Sequence, residues 1–123
     1  MNLKISNIAI VILAAGTSSR LGSPKQLLEY NGKNLLRHAV DTALETECAS
    51  VFVVLGANSE LLRKELKDKP VTVLENANWP EGMASSIRCG LEYITGTILR
   101  PDSIIFMVCD QPHVSSSLLL SLI

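Results

Sequence analysis

Four short apolar runs set the plan of the chain: Ile8–Ala15, Val51–Leu55, Val71–Leu74 and Ser103–Cys109. Runs this short, with little polar alternation, fit strands buried on both faces, as in a parallel sheet. Amphipathic stretches separate them. Leu35, Leu36, Ala39, Val40, Ala43 and Leu44 recur at three- and four-residue spacing and predict a helix over Asn34–Glu47, with His38 off the apolar stripe. The mixed charges of Glu60–Lys67 predict an exposed helix, capped by Asn58 or Ser59 and ended by Pro70. Met83, Ile87, Leu91 and Ile94 predict one apolar face of a third helix, and Ser115 caps a fourth over Ser115–Leu120. Leu27–Lys33 reads as a short extended piece ending in an Asn31-Gly32 turn. Buried strands alternating with amphipathic helices predict an α/β fold, a three-layer, Rossmann-like, doubly wound and mostly parallel sheet.

Composition narrows the classes. At 123 residues the chain is a single domain, and 47% hydrophobic against 4% aromatic residues makes its core aliphatic. A net charge of −1 with scattered cations excludes a nucleic-acid footprint. The N-terminal apolar run is too short to cross a membrane, and the single Lys4 before it is a poor signal-peptide start. Cys48, Cys89 and Cys109 are odd in number and far apart, which fits reduced thiols in a cytoplasmic protein.

Three segments carry candidate chemistry. The first strand breaks into Leu13-Ala14-Ala15-Gly16-Thr17-Ser18-Ser19-Arg20-Leu21-Gly22-Ser23-Pro24-Lys25. Small residues let backbone N–H groups approach an anion, and Arg20 and Lys25 add charge. The order fits neither a Walker A loop nor the three-glycine dinucleotide fingerprint, and an ordinary strand-to-helix loop is the plain alternative. The second segment, Glu75–Arg88, runs through Trp79, Pro80 and Gly82 into a helix whose first turn holds Ser85 and Ser86. It reads either as a nucleotide contact or as a capped core helix, with Trp79 a base-stacking residue or a packing anchor. The third is Asp110-Gln111-Pro112-His113-Val114 at the carboxyl end of the last strand, where a carboxylate can hold Mg²⁺ against phosphate oxygens. Asp110 could instead cap the next helix, but Ser115 is the better cap.

The order Leu13-Ala14-Ala15-Gly16, Ser19-Arg20-Leu21-Gly22 and Pro24-Lys25-Gln26-Leu27-Leu28 resembles the signature of nucleotidyltransferases that move a nucleoside monophosphate from an NTP. Gly82-Met83-Ala84-Ser85-Ser86-Ile87-Arg88 and Asp110-Gln111-Pro112 resemble the MobA-like branch acting on the molybdenum cofactor. The resemblance implies a nucleotide-diphospho-sugar transferase-like fold and a cytoplasmic transferase that releases pyrophosphate. It implies a nucleotide site at Leu13, Ala14, Ala15, Gly16, Thr17, Ser18, Gly82, Ser85 and Ser86. Arg20 and Lys25 would offset charge at the reacting phosphates, and Asp110 would hold Mg²⁺. Ala15, where guanosine-using relatives carry Gly, implies CTP with a molybdopterin acceptor.

Family members run to about 200 residues, so the chain reads as the N-terminal, nucleotide-binding part of a longer domain, with an open sheet edge able to self-associate. The cytidylyltransferase of isoprenoid precursor synthesis, whose pattern Pro24-Lys25-Gln26 also echoes, a sugar-1-phosphate nucleotidyltransferase, and a non-catalytic nucleotide-binding module are the alternatives.

Overall fold

The computed structural model describes residues 7–16, 25–47, 50–96, 101–109 and 114–122. At its centre lies β1, Ile8–Ala14, all seven residues buried. It pairs in parallel with β4, Ser50–Leu55, on one side, and with β6, Ser103–Val108, on the other. A fourth parallel strand, β5, Thr72–Glu75, lies outside β4, giving the order β5-β4-β1-β6. Alternation along β1 divides the interior in two. Ile10, Ile12 and Ala14 face one core, and Ala9, Val11 and Leu13 face the other.

The first core is closed by α1, Leu35–Leu44, through Leu36, Ala39, Val40 and Ala43. Leu62 of α2, Ser59–Lys64, and Leu119 of α4, Ser116–Ser121, join it. The second core is closed by α3, Met83–Thr95, through Ile87 and Ile94. Helices on both faces of a parallel sheet make the predicted three layers.

Local chemistry explains most boundaries. Asn34 caps α1 by accepting from the Arg37 N–H at 2.8 Å, and Ser115 accepts from the Leu118 N–H at 3.1 Å ahead of α4. The extended piece before α1 is a hairpin, β2 (Glu29–Tyr30) and β3 (Lys33–Asn34), around Asn31 and Gly32 at φ 54° and 87°. Two successive left-handed residues are what a tight hairpin turn asks of Asn-Gly. Tyr30 packs edge-on against His38 of α1, with ring centroids 5.6 Å apart.

Three expectations need correction. The α1 helix stops at Leu44, short of Glu47, which turns left-handed at φ 57°. Asn58 precedes α2 in a left-handed conformation and makes no side-chain cap, so its backbone turn, not its amide, starts that helix. The buried stripe of α3 is Ser86, Gly90 and Ile94 with half-buried Ile87, while Met83 and Leu91 lie exposed on the flanks. The register turns on Gly90: a methyl there would come within 3.1 Å of Val11, so the bare backbone lets α3 lie close on β1.

A charged seam ties the hairpin and α1 to the chain after α2. Asp41 accepts from both Lys33 and Lys69 at 2.7 Å, and Arg37 reaches the Glu65 carbonyl and the Asp68 carboxylate.

Candidate nucleotide site

The sequence runs from β1 to β4 and β5 in one direction, then crosses back to β6 on the other side of β1. In open α/β sheets such a reversal leaves a crevice outside the carboxyl ends of the two diverging strands, and ligands bind there. In this chain those ends are Ala14-Ala15-Gly16 after β1 and Cys109 after β6, whose N–H reaches the Leu13 carbonyl at 3.4 Å.

The carbonyls at the end of β1 are committed to the protein. Gln26, in the 3-10 turn Lys25–Leu27, donates from Nε2 to the Ala14 oxygen at 3.0 Å and to the Gly16 oxygen at 3.1 Å. The Ala15 oxygen takes the Ala57 N–H at 3.0 Å.

Facing this turn is the start of α3. A cavity of about 210 Å³ lies between Leu13, Ala15 and Gly16 on one side and Trp79, Gly82, Met83 and Ser86 on the other. It is smaller than the ~300–1,000 Å³ of sites that hold a whole drug-sized ligand. Its lining is mostly apolar, and the Ser86 hydroxyl and the Trp79 indole N–H are the polar side-chain groups among its residues.

The far wall is held by a buried polar network centred on Asn76, which follows β5. Its Nδ2 donates to Ser85 Oγ at 2.9 Å and Ser86 Oγ at 3.0 Å, and its Oδ1 accepts from the Asn78 N–H at 3.0 Å. The Asn76 main chain bonds to the Leu55 carbonyl and the Trp79 N–H. Ser85 turns its own proton to the Asn78 and Gly82 carbonyls, so it belongs to the network. Ser86 accepts from Asn76 and keeps its O–H as a donor at the cavity wall. Trp79 packs with the second core and rests on Gly56 while its ring borders the cavity, so it is both anchor and wall.

Of the sequence-predicted residues, Leu13, Ala15, Gly16, Gly82 and Ser86 line one cavity, Ala14 lies behind it, and Ser85 faces the network. Thr17, Ser18, Arg20 and Asp110 lie outside the described residues, as does the side chain of Lys25. Sequence reasoning missed Gln26 and Asn76, both buried. Gln26 stood in the run Pro24-Lys25-Gln26-Leu27-Leu28 with no role of its own, and the one sequence signal of Asn76 was a polar residue just past a strand. Among the described residues no cluster of three or more His, Cys, Asp or Glu side chains could hold a metal ion, and no helix is long and apolar enough to cross a membrane. A larger groove, about 690 Å³, runs between β5 and α3 and shares no residue with the cavity. Its arginines are already paired, Arg63 with Glu75 and Arg88 with Glu81. Burial, then the charge of Glu92, pushes the Cys89 thiol in that groove above its ordinary value, which keeps it protonated.

A family model described as the MobA-like NTP transferase domain matches residues 10–123. Nicotine blue oxidoreductase from Paenarthrobacter nicotinovorans is 36% identical over 106 residues, covering 85% of this chain and 50% of that protein. Rv0371c from Mycobacterium tuberculosis superposes with a TM-score of 0.79 at 31% identity, over 96% of this chain and 59% of that one. Its manganese complex superposes at 0.74 and 27% identity, over 94% and 56%. A nucleotidyl transferase from Methanothermobacter thermautotroptrophicus gives 0.76 at 28% identity, over 89% and 53%. The chain thus spans about half the length of the first curated relative it matches.

Proposed function

We propose that this chain, which belongs to the MobA-like NTP transferase domain family, binds the nucleotide substrate of a cytidylyl transfer and forms the nucleotide side of that reaction's active site. The observation that carries the reading is the single cavity shared by Leu13, Ala15 and Gly16 with Gly82 and Ser86 at the point where the strand order reverses. In this reading a base occupies the apolar cavity, with Ser86 O–H as donor to a base carbonyl, and the ribose and phosphates extend outward over the β1 turn. The methyl of Ala15 narrows that cavity and favours a pyrimidine, hence CTP.

The reaction is attack of an acceptor phosphate oxygen on the α-phosphorus, forming one P–O bond as the bond to pyrophosphate breaks. It calls for positioning and charge neutralisation rather than a protein nucleophile. We assign the triphosphate to the backbone of Ala14–Ser18, and to Arg20 and Lys25 the negative charge that gathers on the α-phosphoryl and the leaving group. Mg²⁺ bound with substrate takes one or two carboxylates, with phosphate and water completing its shell, so a lone carboxylate is a sufficient protein ligand. Asp110, the residue after Cys109 in the sequence, is the carboxylate we assign to that role. A cation there would neutralise phosphate charge, and the manganese complex of Rv0371c supports divalent metal use in this fold. Molybdopterin is the acceptor we favour, in the cytoplasm.

Titration with CTP, GTP and ATP should show CTP binding tightest; a GTP preference overturns the Ala15 argument. Pyrophosphate release, measured on the chain at the length of its relatives with CTP, Mg²⁺ and a panel of molybdopterin, polyol phosphate and sugar 1-phosphates, identifies the acceptor. Asp110→Ala should lower turnover about a hundredfold or more while leaving the unfolding midpoint unchanged; retained turnover removes Asp110 from the metal role. The relative named nicotine blue oxidoreductase favours a second reading, a redox protein on the same fold. CTP binding with no pyrophosphate released for any acceptor would favour a non-catalytic nucleotide module, and the absence of any nucleotide binding would favour the redox reading.

A further inference from the structure

We infer that Gln26 is a positioning residue for triphosphate binding, setting the turn at Ala14–Gly16 through the two N–H bonds of one side-chain amide. The inference rests on the nucleotide-binding reading above and concerns a side chain that does not line the cavity.

Gln26 is only 5% exposed, although it belongs to a short turn beside the rim. Its Nε2 commits both hydrogens to carbonyls two residues apart, Ala14 at 3.0 Å and Gly16 at 3.1 Å. The first is the last residue of β1 and the second lies beyond it, so one amide spans the place where strand gives way to loop. A planar trans peptide points its carbonyl and its N–H in opposite directions. Pinning the Ala14 carbonyl to Gln26 therefore turns the Ala15 N–H away from it. The Ala57 bond to the Ala15 carbonyl does the same for the Gly16 N–H. Successive N–H groups aimed by a turn are what an anion-binding concavity is made of.

The other half of the amide supplies the second observation. Gln26 Oε1 is buried and has no hydrogen-bond partner among the described residues. An orphaned buried acceptor is costly and uncommon, and it calls for an explanation. A side chain there for packing alone could be apolar and avoid that cost. The amide tolerates an idle oxygen because its nitrogen is needed twice on the loop.

The test compares CTP and cytidine binding, each with Mg²⁺, by NMR titration of wild type, Gln26→Met and Gln26→Glu. Gln26→Met keeps the length and loses both donors. CTP affinity should fall about tenfold or more, while cytidine, which needs only the cavity walls, stays within about twofold. Gln26→Glu lacks a donor when ionised and regains one when protonated. Its CTP affinity relative to wild type at the same pH should therefore rise between pH 8 and pH 5. Unfolding curves identify a variant that has lost its fold; should Gln26→Met do so, the pH course of Gln26→Glu carries the test. An unchanged CTP-to-cytidine ratio in a folded Gln26→Met, or a flat course for Gln26→Glu, overturns the positioning role alone. A wild-type chain that binds no CTP instead overturns the nucleotide reading, and this inference with it.

Discussion

Replacing Gly56 with alanine should push the tryptophan wall off the cavity. A methyl built on Gly56 lies 2.5 Å from Trp79 Cβ, 2.7 Å from Cγ and 2.9 Å from Cδ1. Non-bonded carbons settle at about 3.5–4.0 Å, so about 1 Å must be found. Gly56 is not among the residues with positive φ, so alanine brings no backbone penalty and the clash is the whole effect. Turning the indole cannot relieve it, because Cβ and Cγ are the root of the side chain. The turn Trp79–Glu81 must move, yet it is fastened by the Trp79 N–H to the Asn76 carbonyl at 3.2 Å and by the Gly82 N–H to the Trp79 carbonyl at 3.0 Å. Overpacking of this kind costs about 1–3 kcal/mol, which lowers a urea midpoint by about 1 M for a domain of this size. Trp79 is the only tryptophan, so its fluorescence reports both the unfolding and the displaced wall. Cytidine should bind more weakly in step, since Gly82, Met83 and Ser86 follow the turn. Adding Trp79→Gly, which removes Cβ together with the ring, should recover stability relative to the sum of the two single changes, read by circular dichroism. A Gly56→Ala protein with the wild-type urea midpoint and unshifted emission would refute the reasoning.

Two further changes probe the frame. Asn76→Ala removes the amide that serves Ser85, Ser86 and the Asn78 N–H, and should cost on the order of 2 kcal/mol, with faster amide exchange at the start of α3; wild-type stability and exchange would contradict the network's role. Burial tends to raise the Asp41 carboxyl, but the hydrogen bonds and charges of Lys33 and Lys69 outweigh it and hold the group below its ordinary 3.8. A depressed carboxylate stabilises the fold above its unfolded-state value and loses that contribution as pH falls through the folded-state value. Asp41→Asn should thus be less stable at pH 7 by about 1 kcal/mol, and the gap to wild type should close on acidification below pH 4. A gap that persists in acid would exclude the charge as its source.

The parts legible in the sequence are those where one local pattern meets no competing demand. Ile8–Ala14 is apolar throughout because both its faces are covered, and Asn31-Gly32 has no comfortable place but a tight turn. The stripe of α3 misled because its closest contact with the sheet is made by Gly90, a residue with no side chain, and because Ser85 and Ser86 are buried for hydrogen bonding. The same cause hid Gln26 and Asn76. A polar residue in a short turn or just past a strand reads as solvent-facing, and only the assembled backbone shows which carbonyls and N–H groups it has to satisfy. Gly16 and Ser86 line one cavity from opposite sides although 70 positions separate them by number, a juxtaposition that strand order fixes and spacing cannot.

The central place of β1 also bears on how the chain folds. Its pairing with β4 closes a loop of about 40 residues, whereas pairing with β6 joins segments 95 residues apart, as the Asn7–Asp102 hydrogen bond shows. The longer closure costs about 0.7 kcal/mol more in chain entropy, and contacts between remote segments slow folding. During synthesis, β1, β4 and β5 emerge and can zip together while β6 is still unmade. The crevice outside β1 and β6 needs those two strands side by side, so it takes shape only after the unit of β1, β4 and β5 on which it is built.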